Sequence, residues 1–338
     1  QGYYQQSLDQ DNDGAKEDLL VRAKPYFHKL IGSKYETQSL EILCNIHHIL
    51  KEYKKASEIY IHLAEKDDKN RETYLVQAAK MQTQFDKNLA INTFDKIIDE
   101  ENEKSKDAAY YKLALLYEEK KYEEIISSQK ELASLLPDIN FANHHYIVGK
   151  SYYFLEKFEL AKEQLKNYVE KEQNKNSSFC NNALISLMQI AEKLNDPFLY
   201  EESYNNFAST FPSDNKLPYV LLAKAVIFKK NDMIKKAKKD FLSLLEKYPK
   251  YKNDENVIFE YSKLLYDTNS WDESRQSFYQ FVKRFNQSDL NKSAWKYFIN
   301  SSINATNIDN NNFNKQRLLA DLNKFMKLKN LSEEESLD

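Results

Sequence analysis

Apolar and polar positions along this chain of 338 residues recur with helical spacing. One position repeats as Ala56, Ala90, Ile125, Ala161, Tyr200, Ala237 and Ser274, at intervals of 34, 35, 36, 39, 37 and 37 residues. Four residues after each comes Tyr60, Phe94, Gln129, Leu165, Tyr204, Phe241 or Phe278. Three further on comes Leu63, Ile97, Leu132, Tyr168, Phe207, Leu244 or Phe281. The i, i+4, i+7 stripe is one face of an α-helix. A unit of this length cannot bury its apolar face alone, so neighbours must stack on one another. The pattern therefore predicts an all-α fold, an α-solenoid of stacked antiparallel helix pairs.

A second stripe precedes each anchor and marks the first helix of each pair: Leu40, Leu43, Cys44 and His47, then Tyr110, Leu113, Ala114 and Tyr117, then His145, Val148, Gly149 and Tyr152. The slot filled by Cys44, Ala78, Ala114, Gly149, Ala225 and Ser262 lets the paired helices approach closely. Met188 occupies it in the fifth unit and predicts a splayed pair there, in keeping with the 39-residue interval. Pro137, Pro212 and Pro249 each stand twelve residues beyond an anchor and end second helices, because proline cannot continue a helix. The organisation expected is a disordered lead over 1–13, a capping helix within 14–34, seven repeats over 35–287, a last helix pair over 288–330 and an acidic tail over 331–338.

Composition narrows the function. Four glycines, at 2, 14, 32 and 149, leave no phosphate-binding glycine loop. A net charge of −3 with interspersed signs gives no global attraction to nucleic acid. No segment reaches the roughly 20 apolar residues that span a bilayer, so any membrane link would be peripheral or through a lipid anchor. Cys44 and Cys180, four repeats apart, are expected to be separate buried thiols. His47–His48 and His144–His145 are adjacent pairs whose side chains diverge by about 100° on a helix, which disfavours chelation of one ion. His47 and His145 fall on the core stripe and read as hydrogen-bonded structural residues. No metal, cofactor or catalytic constellation emerges, and the chain reads as a non-enzyme.

The fourth unit, YIVGKSYYFLEKFELAKEQLKNYVEK, resembles the tetratricopeptide repeat: Gly149 in the small first-helix slot, Tyr152 after it, Phe158 opening the second helix, then Ala161 and Leu165. The resemblance covers roughly 36–286; the family's early Trp is absent throughout. It implies a right-handed α-solenoid, a protein-binding superhelix whose first helices line a concave surface. The segment from Phe207 to Tyr251, with an aromatic-Pro closing each unit, is similar to repeats of bacterial cell-envelope scaffolds. An AT-rich codon signature, with abundant Asn, Ile, Tyr and Lys, adds an analogy to the flagellar collar of spirochaetes.

That resemblance places candidate partner-binding residues on the concave face: Asn143, Tyr146, Lys150 and Tyr153 in the fourth unit, and Asn256, Phe259, Lys263 and Tyr266 in the seventh. An amide to hold backbone, aromatic anchors and a cation for a carboxylate suit a peptide or protein segment. The carboxylate clamp of chaperone-tail adaptors is missing, because the matching face of the first three units reads Glu41, Asn45, Leu75, Ala79, Tyr111 and Leu115. The expectation is a non-catalytic scaffold in a periplasmic or envelope assembly, flagellar or outer-membrane. A cytoplasmic adaptor of the same family is the alternative, and an RNA-binding helical-repeat protein the alternative of another class.

Overall fold

A computed structural model describes residues 2–10, 12–99, 103–135, 138–308 and 312–328, and among these there is no strand. The chain divides into two compact units, Gln1–Ala183 and Leu184–Asp338. In the first, α1 (Gly2–Leu8) and α2 (Asp13–His28) precede the pairs α3 (Glu36–Ile49) with α4 (Tyr53–Lys66), α5 (Arg71–Gln82) with α6 (Lys87–Ile98), α7 (Glu103–Glu118) with α8 (Tyr122–Leu135), and α9 (Asp138–Phe154) with α10 (Phe158–Lys171). Helix α11 (Ser178–Leu194) runs from the first unit into the second. There it is followed by α12 (Pro197–Thr210), α13 (Leu217–Lys230), α14 (Ile234–Lys247), the 3₁₀ turn η1 (Pro249–Asn253), α15 (Glu255–Asp267), α16 (Trp271–Arg284), α17 (Asn291–Ile308) and α18 (Asn312–Leu328).

The repeat stripe is the core. All seven anchors are buried, Ala56 through Ser274, and so are all seven residues at anchor +7. Where the sequence predicts a disordered lead over 1–13, Gly2–Leu8 instead form α1, packed on α2 through Tyr4 and Phe27 with ring centroids 5.9 Å apart. The polar composition of that segment conceals the pairing, because its apolar residues are too few to show a period. Pro25 is accommodated inside α2. Helices α12 and α14 stop just before Pro212 and Pro249, whereas Pro137 and the acidic tail lie outside the described residues. Twelve residues before its anchor Met188 is buried, and so is Leu113 in the third unit, where the sequence pattern assigns Ala114; Ala114 is one position on and half-buried.

The turn between paired helices has one construction in six of the seven repeats. Lys51, Lys120, Glu156, Asn195, Asp232 and Asn269 all take a left-handed backbone, with φ between 52° and 59°. Each stands five residues before its anchor. The next residue donates its N–H five residues back, as in Glu52 to His47, Lys121 to Leu116 and Ser270 to Leu265. This is a helix-terminating motif that normally favours glycine, and none of these six positions holds one. An aromatic pair brackets the same turn in four units: His48 with Tyr53, Tyr117 with Tyr122, Tyr153 with Phe158 and Tyr266 with Trp271, at centroid separations of 6.0, 6.2, 6.1 and 5.2 Å.

Candidate protein-binding surface

The two strips singled out by their shared Asn–aromatic–Lys–Tyr order occupy matching positions in the structure. Tyr146 and Phe259, however, are buried. Tyr146 packs against Tyr117, Tyr168 and Phe179 at 6.4, 5.2 and 5.1 Å, and Phe259 against Phe278, Phe281 and Tyr297 at 5.7, 5.6 and 6.0 Å. These aromatics hold consecutive repeats together. They are corrected from exposed partner anchors to core. The reason is geometric: fifteen residues before the anchor, a side chain points into the seam between neighbouring units.

Tyr153 and Tyr266 are half-buried members of the turn-bracing pairs. Lys150 does not stand free to meet a carboxylate. Its ammonium lies 4.9 Å from the Tyr153 ring centroid and 5.1 Å from that of Phe154, and burial lowers its pKa. A cation drawn over two ring faces is held by their quadrupoles. Lys263 and Asn143 are half-buried, and of the eight residues Asn256 alone is exposed.

The histidines behave as the core stripe implies. His47 Nδ1 lies 2.6 Å from Glu52, and His145 Nδ1 lies 2.7 Å from Gln164 Oε1. Burial lowers the pKa of both, and that of His144 to about 4. Among the described residues, no group of three or more His, Cys, Asp or Glu side chains lies together in a way that could hold a metal ion. Burial pushes the Cys44 thiol up to about 12, and Cys180 is a second buried free thiol. Glu41, on the face matching the family's clamp, accepts a hydrogen bond from the Tyr74 hydroxyl at 2.8 Å.

A more accessible strip lies on α13, in the sixth unit. Tyr219 and Val226 occupy the register positions of Asn143 and Lys150, with Leu222 between them. Tyr219 is 60% exposed and Val226 41% exposed. Together with Glu192, Asn195 and Lys230 they line a groove of about 450 Å³. Leu222 is packed on the sixth-unit core around Phe228 and Phe241, which fixes the groove floor. The floor is therefore rigid while its two flanking apolar side chains face solvent.

Cations rim this groove. The Lys250 ammonium sits 5.7 Å from the Tyr219 ring and 5.1 Å from Tyr251, while Lys216 and Lys230 are exposed on either end of α13. At the far end, burial raises the pKa of the Glu192 carboxyl, and Asn195 and Asn231 exchange side-chain hydrogen bonds of 3.0 and 3.1 Å. Sequence reasoning missed this strip because it sought a repeated polar–aromatic signature. The signal was present as a departure from it, apolar residues at two positions that are Asn and Lys in units four and seven.

No family model matches the chain, and no curated protein matches it in sequence. Solved structures do share its architecture. The C-terminal part of a TPR repeat-containing protein from Cytophaga hutchinsonii superposes with a TM-score of 0.50 at 15% identity, over 68% of this chain and 91% of that one. A tetratricopeptide repeat protein from Parabacteroides merdae gives 0.42 at 14% identity, over 78% and 98%. YrrB, described as a TPR protein with an unusual peptide-binding site, gives 0.44 at 16% identity, over 60% and 97%. The fold is of tetratricopeptide type.

Proposed function

We propose that this chain is a non-catalytic protein-interaction scaffold that holds a segment of a partner protein along α13. The observation that carries the reading is the exposure of Tyr219 and Val226 over a packed apolar floor. Two large apolar side chains left in water beside a preformed groove cost solvation free energy that a partner recovers. They lie seven residues apart, about two helical turns or roughly 10 Å along one face, a spacing that accepts two apolar anchors of a single segment. Beneath the strip, Tyr204 packs on the sixth-unit core, and burial raises its pKa to about 12.

The compartment belongs to the same proposal. Similarity of the closing aromatic-Pro repeats to bacterial envelope scaffolds suggests a periplasmic or envelope-associated assembly, such as a flagellar or outer-membrane complex.

A photo-crosslinking amino acid placed at position 219 in cells of the source organism tests both parts. The expected result is a discrete protein adduct in the envelope fraction, lost in a Val226→Asp background. Loss of one buried aromatic anchor typically costs about 2 kcal/mol or more, over tenfold in affinity. Adducts from position 143 but none from 219 would move the site to the fourth unit, and a purely cytosolic adduct would reject the envelope.

A further inference from the structure

Basic charge is concentrated around the strip on α13. Residues 216–252 hold eleven lysines and three carboxylates, in a chain whose net charge is −3. Of these lysines, Lys224, Lys229, Lys236 and Lys238 are ion-paired within the fold. Lys216, Lys230 and Lys250 are exposed, and among the described residues no carboxylate is ion-paired with any of them. Carboxylates close to them in sequence serve the backbone or lie past the helix. Asp214 accepts the Lys216 N–H at 2.8 Å, and Asp254 caps α15 through the N–H groups of Asn256 and Val257. Asp232 lies in the turn beyond the end of α13.

The three free cations stand around the two exposed apolar side chains. Lys216 precedes Tyr219 by three residues and Lys230 follows Val226 by four, spacings that keep the four residues on one face of α13. The Lys250 ammonium lies 5.7 Å from the Tyr219 ring centroid. The strip therefore carries two cations at its N-terminal end and one at its C-terminal end. Its length from Lys216 to Lys230 is roughly 21 Å along the helix axis, with the apolar pair inside that span. Among the described residues that line the groove, Glu192 on α11 is the one carboxylate. The flanks of α13 are open as well. First helices of neighbouring repeats approach closely at α5–α7, α7–α9 and α15–α17, whereas α13 meets neither α11 nor α15 in that way.

We infer that the segment held on α13 is an internal stretch of a partner protein in which two apolar side chains are bracketed on both sides by carboxylates. The apolar pair covers Tyr219 and Val226, and the carboxylates meet Lys216 and Lys250 at one end and Lys230 at the other. This rests on the use of α13 as the binding surface and deepens it by naming the partner's chemistry. A chain-terminal carboxylate would match only one end of the strip, so the stretch is internal. Rim ion pairs add little affinity each, but they set the register of the occupant and reject neutral or basic segments.

The test is a selection from a phage-displayed library of random segments long enough to span the strip. The full chain is the target, beside two variants: Lys216→Glu, Lys230→Glu, Lys250→Glu and Tyr219→Asp, Val226→Asp. A circular-dichroism melt checks that each variant is folded, and Gln replaces Glu at the three lysines where reversal perturbs folding. The unaltered chain should enrich an apolar pair with Asp or Glu on both sides. The charge-reversed variant should enrich the same pair flanked by Lys or Arg, a neutral variant should lose the acidic flanks, and the Asp variant should enrich neither pattern. A synthetic peptide of the enriched sequence should bind the chain about tenfold more tightly than its Asn- and Gln-flanked counterpart, the gap closing as salt rises. An apolar pair enriched without acidic flanks would overturn this inference and leave α13 as the binding surface. Enrichment that survives Tyr219→Asp, Val226→Asp would remove α13 itself, and selection of no segment would overturn both. Binding of the chain to phosphatidylglycerol vesicles through the three lysines, with no acidic segment enriched, would reassign them to an anionic membrane.

Discussion

Gly149 is the clearest place where the structure sets two physical terms against each other. It lies in α9, facing α10, and a Cβ there would meet Leu165 Cγ at 2.8 Å, Leu165 Cδ2 at 2.9 Å and Gln164 Cβ at 3.1 Å. Favourable carbon–carbon contact begins near 3.5 Å. Leu165 is fully buried and has no solvent to retreat into, and Gln164 is held by its hydrogen bond with His145. Replacing Gly149 by alanine gains about 0.8–1 kcal/mol of helix propensity and loses about 1–3 kcal/mol to overpacking. The net expectation is a destabilisation of up to about 2 kcal/mol, and Gly149→Val should exceed it. Adding Leu165→Ala removes the obstruction, so in the double variant the two costs should fall short of additivity by about 0.5–3 kcal/mol. Urea unfolding of the four chains measures this, with Ala78→Gly reporting the propensity term in an equivalent slot. Hydrogen exchange should place the loss in α9, α10 and their neighbours, since coupling in stacked repeats is local. A Gly149→Ala chain stabilised by the full propensity gain would refute the close α9–α10 contact.

Three further outcomes are expected. The buried pair Lys224–Asp240, 3.3 Å apart, should cost about 3–5 kcal/mol when Asp240→Ala strands the ammonium, whereas Lys224→Met with Asp240→Leu should be neutral or stabilising; denaturant melts distinguish the two. Lys120, at φ 59° and exposed, should yield up to about 1 kcal/mol of stability as Lys120→Gly and lose stability as Lys120→Val, read from thermal midpoints. Burial pushes the Glu52 carboxyl up, but hydrogen bonds from Lys24, Lys55 and His47 outweigh it and hold the group at about 2 instead of 4.5. Its folded value is depressed, so its contribution is present above about pH 4.5 and lost as pH falls toward 2; Glu52→Gln should flatten that part of a stability–pH profile, and an unchanged profile would remove Glu52 from the account.

The helices were legible because each unit repeats the same demand. A buried stripe that must meet its neighbours every 34 to 39 residues leaves a periodic trace in residue type, and every anchor it marks is buried. The small first-helix slot was legible in most units, whereas in the third the buried slot residue is Leu113 and not Ala114. What did not show was local geometry that many residue types satisfy. The left-handed turn position holds Lys, Glu, Asn or Asp, none of which advertises a positive φ as glycine would. Helix α1 was hidden because a single short helix has no period to reveal it.

The candidate site failed in an instructive place. The near-identity of Asn143, Tyr146, Lys150 and Tyr153 with Asn256, Phe259, Lys263 and Tyr266 suggested a shared ligand. In the structure, Tyr146 and Phe259 fill seams between repeats, and Tyr153 and Tyr266 brace turns. Residues that recur at one register position are retained by what every repeat needs, which is packing against the next. A binding surface serves one partner, so it is written where a repeat departs from its neighbours. Tyr219 and Val226 are such departures: at the Tyr219 position the other six units carry a polar residue, and at the Val226 position units four and seven carry Lys. If that reasoning holds, Tyr146→Ala should behave as a core truncation, costing about 3–5 kcal/mol by analogy with other large aromatics, with its effect concentrated in α7 to α10. Tyr219→Ala, whose side chain stands mostly in water, should change stability by less than about 0.5 kcal/mol. Paired urea melts decide it: equal costs at the two positions would mean that Tyr219 is packed as firmly as Tyr146 and that the α13 groove is closed.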